Sequence, residues 1–203
     1  MIAALLLAAG QSLRMGKSKM TLPWGERTVI EQAAVTLQQG GIERIVVVTG
    51  GHREEVEKAL SNMKVQSVHN PYYENGEMLD SFRYGLNALL AMPEIEACLV
   101  ALGDQPEMQV DTVSRVITAY RSQPARLIVP SYQMRRGHPW LMTRALWPEM
   151  ISLQPPDTPR SFLNRHANQI TYLEVDTPTI LADLDTPEEY EKQKPRGSGD
   201  SAY

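Results

Sequence analysis

The sequence predicts an α/β protein, a three-layer α/β/α, Rossmann-like fold around a mostly parallel sheet. Three observations carry that expectation. Short, unbroken apolar runs at residues 2–7, 45–49, 97–102 and 127–130 have the composition of strands buried on both faces. Stretches with helical apolar spacing separate them, giving crossovers of the length that right-handed βαβ units need. The first three of these runs also stop in small or acidic residues, Ala9-Gly10, Gly50-Gly51 and Gly103-Asp104. Loops of that kind collect at the carboxyl edge of a parallel sheet, where ligands bind.

The first strand runs into Leu7-Ala8-Ala9-Gly10, and Arg14, Lys17 and Lys19 follow. Small side chains let a ligand lie on backbone N–H groups, and the cations suit a phosphate chain. A strand followed by a basic surface turn has the same composition, so this loop alone does not decide its use. Thr21-Leu22-Pro23-Trp24-Gly25 is a turn. Thr28, with Glu31 three residues later, predicts a capping box, and the helix it opens stops at Gly40-Gly41. After the β-branched strand at 45–49 come Gly50-Gly51, His52 and an acidic helix over 54–60. A shorter strand at 65–68 leads to Asn70-Pro71, and Asn75-Gly76 marks a turn. Residues 78–90 repeat apolar side chains at helical spacing, and Met92-Pro93 closes that helix.

The strand at 97–102 stops at Gly103-Asp104-Gln105-Pro106. A helix over 110–120 leads to the strand at 127–130. Residues 132–142 read as a hairpin or an excursion from the sheet. A helix around 145–150, a Pro-rich stretch at 154–159 and a short helix near 161–165 come next, then a last strand at 170–175. Asp183-Leu184-Asp185-Thr186-Pro187 opens a closing helical turn, with Asp185 or Thr186 as its cap. Residues 1–193 are expected to form a single domain, with 194–203 a flexible tail.

The totals exclude several classes. The 203 residues carry a formal net charge of −4, so neither nucleic acid nor an anionic membrane is the expected main partner. No apolar run approaches the roughly 20 residues of a membrane span. The single cysteine, Cys98, permits no internal disulfide and fits a reducing compartment. No charged leader precedes Ile2, and Arg14 and Lys17 fall where a cleavage region is small and neutral, so a cytoplasmic protein is expected.

On one rim of a parallel sheet, the loop, Arg14, Lys19, Asp104, Asp183 and Asp185 make a small-residue cradle with cations and carboxylates. That set suits a nucleotide plus a divalent metal, in which carboxylates hold the ion and cations neutralise phosphate charge. Each piece also has a plain structural use. Asp104 suits a turn, Asp185 a helix cap, His138 a turn between Gly137 and Pro139, and Ser81 a solvated helix face. A dinucleotide-dependent dehydrogenase is disfavoured, because the first loop lacks GxGxxG spacing and the second strand ends in Thr49-Gly50 with no acidic residue for a ribose.

Residues 7–19, Leu-Ala-Ala-Gly-Gln-Ser-Leu-Arg-Met-Gly followed by Lys19, resemble the LAAGxSxRMGxxK signature of MobA-like nucleotidyltransferases. The resemblance continues through Leu22-Pro23-Trp24-Gly25, Asn70-Pro71, residues 76–85, Gly103-Asp104-Gln105-Pro106, Arg136-Gly137-His138-Pro139 and residues 183–188. It spans nearly the whole chain and is strongest toward the branch containing the molybdenum cofactor cytidylyltransferases. It implies that Leu7, Ala8, Ala9 and Gly10 hold a nucleotide by backbone and that Arg14 and Lys19 bind its triphosphate. It implies that Asp104 is the principal ligand of Mg²⁺ (or Mn²⁺), joined by Asp183 or Asp185, with Asp183 preferred because it precedes the apparent helix cap. Gly50, Gly51 and Ser81 would line the base pocket, and Arg136, Gly137 and His138 would face the acceptor.

The implied substrates are an NTP, CTP in preference, and a molybdopterin-type acceptor, with a molybdoenzyme or its chaperone as a further partner. Another NTP or a sugar-phosphate or phospho-acid acceptor is the alternative within the fold. A non-catalytic cofactor-binding chaperone is the alternative outside it. Two departures from the family pattern stand out: Glu77 is inserted between Gly76 and Met78, and residues 156–160 replace a Gly-rich stretch.

Overall fold

In the computed structural model, which describes residues 1–10, 18–75, 78–123 and 125–195, the first apolar run is the middle of the sheet. Strand β1 (Ile2–Ala8) pairs in parallel with β4 (Arg44–Thr49) on one side and β6 (Ala97–Leu102) on the other, with Leu5 opposite both Val46 and Val100. Side chains alternate faces along a strand, so β1 feeds two cores. Ala3, Leu5 and Leu7 pack with α3 (Met78–Leu90), α5 (Trp147–Ser152) and α6 (Pro159–Arg165). Ala4, Leu6 and Ala8 pack with α1 (Val29–Gln39), α2 (Arg53–Ala59) and α4 (Val110–Ser122). These are the three layers, and β1 is apolar throughout because neither of its faces meets water. Each leucine so buried contributes about 1.5–3 kcal/mol.

The remaining strands are β5 (Val65–His69), β7 (Leu127–Tyr132), β8 (Arg135–Arg136), β9 (Trp140–Thr143) and β10 (Ile170–Glu174), giving the order β10-β7-β9-β6-β1-β4-β5, with β8 on β7. Residues 132–142 turn out to be more than an excursion. The chain reverses through Gln133 and Met134, both at positive φ (47° and 62°), makes the β7–β8 hairpin, and re-enters the sheet as β9. That strand lies antiparallel between β6 and β7, with Trp140 opposite Val100 and Leu141 opposite Ile128. Burial of Trp140, Leu141 and Met142 stabilises the insertion.

The Thr28 capping box forms as its spacing predicts: Thr28 Oγ1 accepts from Glu31 N, and Glu31 Oε2 accepts from Thr28 N at 2.7 Å. The Pro-rich stretch also holds a cap. Thr158 N-caps α6 in a box with Ser161, Pro159 takes the first helical position, and the Asp157 carboxylate accepts from Ser161 and Arg165. So the residues that depart from the family pattern are a helix start. The helix near 161–165 accordingly begins earlier, at Pro159.

A small antiparallel pair, β2 (Pro23–Trp24) and β3 (Arg27–Thr28), is covered by α7 (Pro187–Gln193). Tyr190 Oη donates to Pro23 O at 2.7 Å, and Leu184 packs with Trp24 and Val29. This docking returns the late acidic segment to the N-terminal half of the chain. Among the described residues no helix is long and apolar enough to cross a membrane.

Candidate active site

Lys19 is placed by its neighbour. Met20, buried in the short helical turn Lys19–Thr21, packs into the core on the α1 face, and its sulfur crowds the spot where a Cβ on Gly103 would stand, at 3.0 Å. Gly103 N donates to Leu7 O, extending the β1–β6 contact one residue past the ladder. Asp104, next along, forms an ion pair with Lys19. The same ammonium lies 3.2 Å from Asp185 Oδ1. The Asp104 carbonyl accepts from Leu184 N at 3.1 Å, which fixes the late segment against the end of β6.

Asp183 takes a different partner. Gln105, fully buried, donates Nε2 to Asp183 Oδ1 at 2.5 Å. Burial, reinforced by the charges of Asp104 and Asp185, raises the Asp183 carboxyl above the usual aspartate range, while the Gln105 hydrogen bond and Lys19 pull the other way. For Lys19, burial works against the ammonium, but the charges and hydrogen bonds of Asp104 and Asp185 outweigh it and raise its pKa. Thr186, not Asp185, caps α7, accepting from Glu189 N. Asp185 therefore keeps its carboxylate for Lys19.

The small-residue cradle is close-packed on one side and open on the other. A Cβ on Gly50 would stand 2.3 Å from Ala9 O, so the loop after β4 presses directly on the backbone after β1 and tolerates only glycine. A Cβ on Gly51 would stand 3.0 Å from the Tyr73 ring, whereas Gly10 is exposed with nothing near its Cβ position. Ser81, expected at a base pocket, is buried in α3 and accepts from Asn70 Nδ2 at 3.2 Å. Arg14, Lys17 and the Glu77 insertion lie outside the described residues.

Arg136, Gly137 and His138 are brought together elsewhere, on the wall of a cleft of about 1180 Å³. Its floor and sides include Phe82, Leu163 and Tyr172. Arg136 is held by three hydrogen bonds, two to Tyr172 Oη (3.0 and 2.6 Å) and one to Asn164 Oδ1 (2.7 Å). Both acceptors are neutral, so neither offsets the charge of the guanidinium. A Cβ on Gly137 would stand 2.3 Å from Ile180 O, the same carbonyl that accepts from His138 N at 2.9 Å. Burial pushes the His138 imidazole down to about 4, so it is neutral near pH 7. The segment that closes on Gly137 and His138 runs from Ile180 to Asp183, and it joins the cleft to the carboxylates.

Gln105 belongs to the Gly103-Asp104-Gln105-Pro106 motif, which says nothing of its bond to Asp183. Tyr172 and Asn164 come from β10 and α6, and only the fold brings them to Arg136.

Among the described residues no three His, Cys, Asp or Glu side chains are gathered tightly enough to hold an ion. The donor chemistry nevertheless fits a hard divalent cation. The carboxylate oxygens of Asp104 and Asp185 already share one positive charge, and the buried Gln105 Oε1 beside Asp183 has no hydrogen-bond partner among the described residues.

The MobA-like NTP transferase domain family matches residues 4–170. The chain is 29% identical over 196 residues to the molybdenum cofactor cytidylyltransferase of Escherichia coli K12, covering 96% of each. It is 31% identical over 197 residues to the nicotine blue oxidoreductase of Paenarthrobacter nicotinovorans, covering 93% of this chain and 94% of that one. In structure it resembles Rv0371c of Mycobacterium tuberculosis H37Rv, with a TM-score of 0.80 and 26% identity over 94% of this chain and 96% of that one. A second structure, of Rv0371c in complex with manganese, matches at a TM-score of 0.69 and 22% identity over the same shares. The chain belongs to the MobA-like NTP transferase family.

Proposed function

We propose that this protein transfers a nucleoside monophosphate from an NTP, CTP in preference, to a phosphate-bearing acceptor of molybdopterin type. An acceptor phosphate oxygen forms the new bond to the α-phosphorus, the bond from that phosphorus to the β-phosphate oxygen breaks, and pyrophosphate leaves. A phosphate nucleophile is already ionised at neutral pH, so no general base is needed.

The observation that carries this reading is the joining of two sites by one segment. Lys19, Asp104 and Asp185 stand at the carboxyl rim of β1 and β6, and residues 180–183 connect them to a cleft large enough for a second substrate. Asp104, with Asp185 or Asp183, would hold a divalent metal, Mg²⁺ or Mn²⁺, which supplies charge neutralisation on the phosphates when bound. Lys19 and Arg14 would bind the triphosphate. Leu7, Ala8, Ala9 and Gly10 would carry the nucleotide by backbone, with Gly50, Gly51 and Ser81 toward the base. Arg136 would fix the acceptor through its charge. His138, neutral, would offer hydrogen bonds only. Most of the rate enhancement is then positioning and electrostatics.

The cytidylyltransferase relative supports CTP and a molybdenum cofactor acceptor. The similarly close oxidoreductase relative means that membership of the family alone does not select the chemistry. Purified protein is therefore to be given each of the four NTPs with Mg²⁺, with and without molybdopterin. Pyrophosphate release that requires molybdopterin and is fastest with CTP is expected. Release with another NTP or with a sugar phosphate moves the substrate assignment. A folded protein that releases none with any pair refutes transfer, and binding of molybdopterin without turnover would then favour a carrier for a molybdoenzyme.

A further inference from the structure

The two carboxylates at the rim are fixed by backbone, and the cation between them is not. Asp104 follows the β6 strand end that Gly103 N ties to Leu7 O, and Asp185 is tied down by Leu184 N on Asp104 O and by its own N–H on Glu189 Oε2 at 2.9 Å. Lys19 reaches them along a four-carbon stem from a turn anchored by Met20. Its side chain is only 12% exposed and that of Asp104 14%, so the pair is largely withdrawn from water. The ammonium can thus leave by rotation about its own side-chain bonds with the backbone unmoved. Beside it, the buried Gln105 Oε1 is an acceptor with no donor among the described residues.

We propose that Lys19 is the resident counter-ion of the Asp104–Asp185 pair in the ligand-free protein, and that it surrenders this place to a divalent cation and moves to the polyphosphate. The inference rests on the nucleotidyltransferase reading and adds an order to it. Asp104, withdrawn from water, favours a cation at all times, and the half-exposed Asp185 adds its charge from the solvent side. In the free protein Lys19 supplies that cation. Once a divalent cation takes the carboxylates, the displaced ammonium can turn its charge toward the cradle. Cation and nucleotide then bind with positive coupling, each making room for the other.

The test is Mn²⁺ titration of the full chain without nucleotide, read from the free-ion electron paramagnetic resonance signal. Lys19→Met keeps the stem and removes the charge, so it is expected to bind Mn²⁺ about tenfold more tightly than wild type. Its coupling between Mn²⁺ and CTP is expected to shrink, and its thermal stability to be low without Mn²⁺ and regained with it. Equal or weaker Mn²⁺ binding by Lys19→Met overturns the proposal while leaving the metal reading intact. Mn²⁺ binding by neither protein, even with CTP, overturns both.

Should the variant not fold, wild-type protein supplies a second measurement, reductive methylation of Lys19 followed by mass spectrometry. The labelling rate is expected to rise with Mn²⁺ and to fall again when CTP is added. A rate that Mn²⁺ leaves unchanged overturns the exchange.

Discussion

The carboxyl rim and the cleft beside Arg136 are built on opposite plans. At the rim, Lys19 pairs with the charges of Asp104 and Asp185, and the neutral amide of Gln105 hydrogen-bonds Asp183. In the cleft Arg136 hydrogen-bonds to neutral acceptors, and the lining adds Arg135, Arg160, Asp157 and Glu174 to walls that are otherwise mainly apolar or aromatic. A site whose charges are paired internally must exchange partners to bind, which suits a metal–polyphosphate. A cleft with three guanidiniums, two carboxylates and an apolar floor would, on the proposed function, suit an anionic, partly apolar acceptor. The contrast teaches which end is expected to lose turnover and which to lose affinity.

The largest effect tests the rim. Asp104→Ala removes the carboxylate nearest Lys19, and kcat is expected to fall by at least about a thousandfold. Circular dichroism is expected to stay native, since the tie to Leu184 uses the Asp104 backbone carbonyl. Unchanged turnover would remove Asp104 from the chemistry.

Two glycines set the ends directly against each other. Gly50→Ala drives a Cβ into Ala9 O, and Gly137→Ala drives one into Ile180 O, each at 2.3 Å from backbone that has no flexible side chain to give way. Each is expected to cost about 1–3 kcal/mol in denaturant unfolding. The kinetic consequences are expected to divide: Gly50→Ala raises the KM for NTP, and Gly137→Ala raises the KM for acceptor. A shared effect on both constants would mean that the ends are one site.

His138 gives the cleft a pH signature. Unfolded, its imidazole protonates near 6.5; folded, burial holds it neutral down to about 4. Between those values the unfolded chain binds more protons, so stability falls as pH is lowered through this window and is complete above it. Because the ring is partly exposed at the cleft wall, the loss is expected to be about 2 kcal/mol rather than the full linkage value. Thermal melts of wild type and His138→Gln from pH 7 to 4 check it, the variant lacking that part of the slope.

How much of this was legible in the chain follows the same division. The strands β1, β4 and β6 were legible because a strand buried on both faces must be apolar at every position. The Thr28–Glu31 box was legible because its partners lie three residues apart. Strand β9 was not, since Trp140-Leu141-Met142 is short, follows Gly-His-Pro, and owes its place to β6 and β7. The Gln133-Met134 reversal carries two positive φ angles without the glycine or asparagine that announces such a turn. At the rim, Lys19 and Asp104 belong to contiguous motifs and could be named from residues alone. That Asp185 shares Lys19 while Asp183 turns to Gln105 depends on Thr186 taking the cap, a choice the sequence left open between two adjacent residues.

The smallest expected effect probes Arg136 in the cleft. Arg136 spends Nε and Nη2 on Tyr172 and Nη1 on Asn164, and its fork is thereby locked in one plane. Lysine at this position keeps the charge but cannot hold three directional bonds to two acceptors at once. Arg136→Lys is therefore expected to raise the acceptor KM about tenfold, leaving the NTP KM and the fold unchanged. If the NTP KM rises instead, Arg136 serves the triphosphate, and the cleft and rim exchange the roles assigned to them. If neither moves, charge alone suffices and the planar hold on Tyr172 and Asn164 is structural.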